Sequence, residues 1–485
     1  MLISETTQAL QEWAERPVAQ RFPYAPTLNA LRRRGKHFMA AELLAALAQA
    51  RRQWRASHEA SPELFLGKFL DVVLDKYDGR YDYLSYTALP LLEHGRTQAG
   101  DEADPALILQ VHDSALCSLI GDAIRFELRR LHGDTGYLRE MPPDRALLER
   151  RIGFALRSLE PALRRLGYPG EREPEALPLT AARVVRFCAN LPLAHSPFVL
   201  DVSMQPVYVA HDEHLFLRIL QALDSSFISV CELLTQALRL FDGAPQRSVP
   251  FIRAAETLLD EGLRHFHTLS TMQRESFRCF REFTSGASAI QSLNYKRMES
   301  LCSRPADERL DSPAYDAVPL LQQALRQGGA SLDDKLAVLR RQPGAHAAAI
   351  PVVEEAMQRL GVTLTRWRHS HYGIAKKYLG DSTGTGYTEG TPYLKKVKDL
   401  QVFRSLRADA GAEQGFVGVD VADAHHHMAV HDDQLDGGAT LARGQVKRVA
   451  VKIRPERLWS QLRQQRVLRH ITFMPQHRAK TARVA

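Results

Sequence analysis

Residues 211–241 read HDEHLFLRILQALDSSFISVCELLTQALRLF, and Phe216, Leu220, Leu223, Phe227, Cys231, Leu234, Leu238 and Phe241 step through them by threes and fours. That spacing draws one apolar stripe along a long helix. Similar stripes occupy 28–54, 107–131, 145–166, 250–271 and 350–379, whereas strand-like alternation is scarce, 448–453 being its best run. The expected fold class is therefore mainly α. Breaks rich in Pro, Gly and charge fall at 94–105, 168–178 and 303–315, and a long polar stretch begins near Arg404. They predict an N-terminal helical region (1–170), a central helical domain (171–398) and a tail (399–485).

The chain has 485 residues, 45% hydrophobic and 25% charged, which excludes collagen-like, fully disordered and disulfide-scaffold classes. Its net charge of +8 is unevenly placed: from Arg443 onward twelve Lys/Arg face one acid, Glu456, so the remaining chain is net negative. The basic character belongs to the tail, and nucleic acid is not the expected partner of the folded body. Five scattered cysteines, with no Cys-x-x-Cys pair, fit reduced thiols better than a disulfide framework or zinc site. Apolar runs end before the ~18 residues of a membrane span, and Glu5 and Glu12 stand where a signal peptide would carry Lys or Arg. A soluble cytoplasmic protein is expected.

Three stretches could carry chemistry. In His211-Asp212-Glu213-His214 the acids suit a helix N-terminus, and the two histidines could share a metal, although such pairs are mostly solvated. Phe277 and Arg281 lie one helical turn apart, an arrangement suited to an aromatic substrate bearing a carboxylate, or simply to an exposed arginine. Trp367-Arg368-His369-Ser370-His371 precedes a helical run and the loop Gly380-Asp381-Ser382-Thr383-Gly384-Thr385-Gly386, which lacks the Gly-Lys-Ser/Thr ending of a phosphate loop. One buried histidine on a helix can hold a haem iron. In the tail, His425-His426-His427 with His431 could bind metal, but the surrounding Asp, Gly and Ala favour a solvated segment.

Together these stretches resemble the tryptophan 2,3-dioxygenase family, all-α haem enzymes that open the indole ring with O₂. The resemblance covers roughly 77–394 in three ordered blocks: His211-Asp212-Glu213-x-Leu215-Phe216; Phe277 to Glu299; and Trp367-x-x-x-His371 followed by Gly380 and Gly384-Thr385-Gly386. His371 follows Trp367 by one turn on the same face, whereas His369 points about 200° away. The resemblance implies haem b with His371 as axial ligand, Arg281 binding the substrate carboxylate, Thr385 the ammonium, and Phe216 and Phe277 lining the aromatic pocket. Tyr83-Leu84 is similar to a segment that a neighbouring subunit contributes in the family's tetramer, which implies a homo-oligomer.

The family's distal histidine, which contacts the indole N–H, falls at Leu220, so no catalytic residue is assigned there. Tyr387-Thr388-Glu389-Gly390 also departs from the small residues of the family loop, and the extra ~70 residues that open the N-terminal helical region and the ~85-residue basic C-terminal tail have no counterpart. The expected activity is dioxygenation of L-tryptophan or a related indole amino acid to an N-formylkynurenine-type product. Its alternatives are a haem monooxygenase or other biosynthetic oxidation of a modified aromatic amino acid, and a non-catalytic haem-binding sensor. A helical interaction protein with a basic tail is the reading that sets the resemblance aside.

Overall fold

In the computed structural model the 211–241 stripe becomes a single 30-residue helix, Asp212–Phe241, around which the main core assembles. The structure describes residues 2–57, 65–96, 100, 103–134, 136–170, 176–284, 287–380 and 390–407. The chain divides into two units, 1–413 and 414–485, and every described residue belongs to the first. Among the described residues the fold is helical throughout; there is no strand, only an isolated bridge between Glu140 and Ala210. The alternating run 448–453 lies outside the described residues.

The N-terminal part holds α1 (Leu2–Glu15), α2 (Tyr24–Arg34), α3 (Ala41–Ser57), α4 (Phe65–Val73), α5 (Tyr83–Tyr86) and α6 (Leu89–His94). The stripe expected over 28–54 is not one helix, because the chain turns at Gly35. There φ is +88°, and a Cβ would sit 2.3 Å from the Val207 carbonyl oxygen. Only glycine fits this close approach, which lets the amides of Lys36 and His37 donate to the carbonyls of Pro206 and Val207 at 2.8 and 3.2 Å. A core of its own, including Trp13, Phe22, Leu31, Trp54 and Phe69, fills this part.

The larger core runs from Tyr83 to Phe403 and crosses the break near residue 170. Its helices are α7 (Pro105–Leu131), α8 (Arg145–Arg165), α9 (Leu177–Ala189), α10 (Pro197–Val202), α11 (Asp212–Phe241), α12 (Pro245–Gly262), α13 (Arg264–Leu269), α14 (Arg274–Arg281) and α15 (Leu293–Cys302). They continue as α16 (Asp307–Leu310), α17 (Pro313–Asp316), α18 (Pro319–Gln327), α19 (Leu332–Arg341), α20 (Ile350–Leu379) and α21 (Thr391–Val397). Helix α11 packs along α7, α12 and α15, while α12 lies against α20. Asp104 and Asp144 cap α7 and α8 by accepting from the amides of Leu107 and Leu147, each at 2.8 Å, so those helix starts are encoded locally. Helix α7 is apolar and long enough to cross a membrane, yet 83% of its most apolar window is buried in the protein. All five cysteines are free thiols.

Candidate active site

Helices α5, α11, α13, α14, α15, α20 and α21 line a cavity of about 230 Å³ that opens to solvent. One side is aromatic. Phe216 lies 5.7 Å from Phe277 and 5.3 Å from Phe280, and Phe277 meets Tyr378 at 5.4 Å. The edge-to-face contact of Phe216 with Phe277 is a favourable ring geometry and leaves a flat apolar wall. Arg281, one turn after Phe277, opens onto the same cavity, and burial lowers its guanidinium below the usual arginine value. Leu220 lies on the wall one turn beyond Phe216.

His371 and Trp367 line the cavity from α20, their rings 5.3 Å apart, with Phe266 stacked on the imidazole at 6.3 Å. Burial alone pushes the His371 pKa down to about 4, so the ring is neutral at physiological pH. No described residue hydrogen-bonds it. His369 instead reaches Asp399 at the protein surface, Nε2 to Oδ1 2.7 Å. The periodicity that separated the two histidines thus corresponds to two environments.

The aromatic residues Tyr83 and Tyr86 come from the chain's own α5. Tyr83 donates its hydroxyl to Asp224 Oδ2 at 2.6 Å, and its amide donates to Gln291 Oε1 at 2.9 Å. Ser292 and Asn294 also donate to Asp224, but burial outweighs these bonds and raises its pKa to about 6. Leu84 packs on the main core rather than on the cavity. Thr385 and the glycines around it lie outside the described residues, as do the tail histidines. Gly390, the first described residue after that loop, is on the cavity wall with φ +77°.

The stretch 211–214 is neither a solvated cap nor a metal pair. His211 bonds Glu127 at 2.9 Å, and His214 stacks on Phe126 at 4.0 Å. Asp212 accepts from Arg151 at 2.9 Å and from the Gln273 amide at 2.6 Å. Glu213 accepts from the amides of Val207 and Tyr208, while burial raises its pKa to about 8. His211 and Asp212 thus join the start of α11 to Glu127 of α7 and Arg151 of α8, 84 and 61 residues away, whereas the partners of Glu213 are local.

A charged cluster on the cavity wall had no forecast. Lys296, Glu299, Arg309 and Arg368 all line it, together with Tyr295. The available signal was Glu299, one turn after Tyr295 inside an otherwise apolar helix face.

The described residues contain no group of three or more His, Cys, Asp or Glu able to hold a bare metal ion. An imidazole on an aromatic wall that is neutral and hydrogen-bonded by no described residue would instead serve as the single protein nitrogen for an iron that brings its other ligands with it. The residues present therefore fit a haem.

These features define an all-α protein with an aromatic cavity that combines one histidine with several cations. No family model matches the chain. Among curated proteins, the tryptophan 2,3-dioxygenase of Anaeromyxobacter dehalogenans (strain 2CP-C) is 25% identical over 248 residues, 44% of this chain and 92% of that protein. The enzyme of the same name from Anaeromyxobacter sp. (strain K) is 27% identical over 241 residues, 43% and 91% of the respective chains. That of Burkholderia mallei (strain SAVP1) is 23% identical over 245 residues, 43% and 79%.

Proposed function

We propose that this chain is a cytoplasmic haem-dependent oxygenase of the tryptophan 2,3-dioxygenase kind, opening the indole ring of L-tryptophan or a related indole amino acid with O₂. The observation that carries the reading is the neutral imidazole of His371, which no described residue hydrogen-bonds, in the aromatic cavity that also holds Arg281. Similarity to the curated dioxygenases supports it independently. Haem b, held by His371, supplies the redox chemistry toward O₂. The chain's residues do the positioning. Arg281 grips the substrate carboxylate through parallel hydrogen bonds, Thr385 takes the ammonium, and Phe216 and Phe277 fix the plane of the ring. The apolar wall keeps water from the reacting face.

Leu220 offers no acceptor to an indole N–H, and an unpaired buried donor costs about 1–3 kcal/mol. This favours, as a second reading, the oxidation of an aromatic amino acid whose ring nitrogen is blocked or absent. The test is expression of the full chain with haem supply, followed by absorbance and by product analysis with ascorbate, O₂ and tryptophan. A Soret band with formation of an N-formylkynurenine-type product supports the proposal. Protein that takes up no haem removes it, and haem-loaded protein that turns over no aromatic amino acid is a sensor instead.

A further inference from the structure

Among the described residues the cavity wall carries more positive than negative charge. Glu299 accepts from Arg368 Nη2 at 2.6 Å and Tyr295 Oη at 3.0 Å through one oxygen, and from Arg309 Nη2 at 2.8 Å through the other. One carboxylate thus serves two guanidiniums. Lys296, only 3% exposed, donates to the Ile290 carbonyl and forms no ion pair with a described residue. Three cations and one anion line one wall, two positive charges over balance. Two donors there also lack partners among the described residues: Arg309 Nε and the indole N–H of Trp367, a side chain 6% exposed. A buried cation without a counter-charge is strongly unfavourable, and an orphaned N–H adds to the cost.

We propose that this wall is an anion subsite that receives the two carboxylate arms of a tetrapyrrole, with Lys296 and Arg309 as the groups that meet them. The inference rests on the haem reading above. Two carboxylates restore neutrality and supply acceptors to the free donors of Lys296, Arg309 and Trp367. Trp367 lies one helical turn from His371, so a single rigid ligand bonded at the histidine reaches the same wall. Arg368 is already saturated by Tyr295, Glu299 and the Leu400 carbonyl, and its part is to hold Glu299 in place.

The experiment titrates haem-free full-length protein with haem b and, separately, with its dimethyl ester, following Soret absorbance. The ester keeps the iron and ring but cannot pair with cations. Wild-type protein is expected to bind haem at least tenfold more tightly than the ester. Arg309→Gln and Lys296→Met should each weaken haem binding about tenfold while leaving ester binding within twofold. Equal affinity for haem and ester, or variants that weaken both ligands alike, overturns the subsite while leaving the haem reading intact. Binding of neither tetrapyrrole overturns both. Asp381 and Glu389, which lie outside the described residues, provide a control for neutralisation by the chain itself. If Asp381→Asn with Glu389→Gln creates a haem-over-ester preference that wild-type protein lacks, the chain's own loop answers the charge and the proposal fails.

Discussion

Replacing Leu220 by histidine asks directly whether the cavity is tuned for a free or a blocked ring nitrogen. Leu220 is partly buried against Tyr86, Leu217 and Ala287, and so losing its apolar contacts should cost stability about 1–2 kcal/mol, tolerable in a chain with this large a core. The surroundings also set the protonation of the introduced ring. His371, on the same cavity, is held near pKa 4 by burial, so the Leu220→His imidazole should be neutral at pH 7.5 and able to accept a hydrogen bond. One gained bond to an indole N–H is worth about 0.5–1.5 kcal/mol, a two- to tenfold gain in kcat/KM for tryptophan. A methyl on the ring nitrogen loses that bond and meets a polar edge where it formerly met Leu220, so N-methyltryptophan should move the other way. The assay is the ratio of kcat/KM for tryptophan to that for its ring N-methyl derivative, in haem-loaded wild-type and variant protein of equal haem content. The ratio should rise about tenfold or more in Leu220→His. A change under twofold in folded, haem-loaded variant would show that the side chain at 220 does not face the ring nitrogen.

Three further outcomes are expected. His371→Ala should purify nearly haem-free or with a weakly held, spectrally shifted haem, as seen by absorbance, while His369→Ala keeps normal occupancy because His369 pairs with Asp399 at the surface. Tyr83→Phe should lower stability by about 1.5–3 kcal/mol at pH 8, measured by denaturant midpoint, because it removes a donor from a buried carboxylate. Burial raises the Asp224 pKa from the usual 3.8 to about 6, so its charged form weakens the fold as pH rises through that range; at pH 5 the acid is protonated and the Tyr83→Phe loss should shrink to about 1 kcal/mol. A loss that is equal or larger at pH 5 contradicts that assignment. Truncation after Gly438 should leave haem uptake by absorbance unchanged, since every described residue of the cavity belongs to the unit 1–413.

The helical class was legible because apolar spacing is a local property, and α11 follows its stripe from end to end. The break at Gly35 was not, since its cause is a carbonyl at Val207, 172 residues away. The same reason hid the role of His211-Asp212-Glu213-His214: the acids look like helix-start residues, but Arg151, which pairs with Asp212, and Glu127, which bonds His211, lie 61 and 84 residues away. Phe216, Leu220, Phe277, Arg281 and His371 line one cavity, and the pairs one turn apart do so because they share a helix face. Lys296 and Glu299 escaped notice, since charges on a helix normally mark its solvated side and only tertiary packing turns this side inward.

The N-terminal helices are tied to this cavity rather than appended to it. Lys36, wholly buried, pairs with Asp75 at 2.8 Å and donates to the Ser85 carbonyl at 3.3 Å, which anchors α5 and with it Tyr83 and Tyr86. Phe38 packs against Phe283 at 4.7 Å, two residues beyond Arg281, and Arg32 bonds Asp201 at 2.8 Å and the Met204 carbonyl at 3.1 Å. The Lys36 and Phe38 contacts end within two residues of cavity-lining groups, Tyr83, Tyr86, Arg281 and Thr284, so loosening the N-terminal core would free the aromatic wall and the Arg281 turn together. A pocket braced in this way keeps its shape without bound ligand, which lowers the ordering cost of binding and makes the identity of single wall residues, Leu220 above all, decisive for what binds.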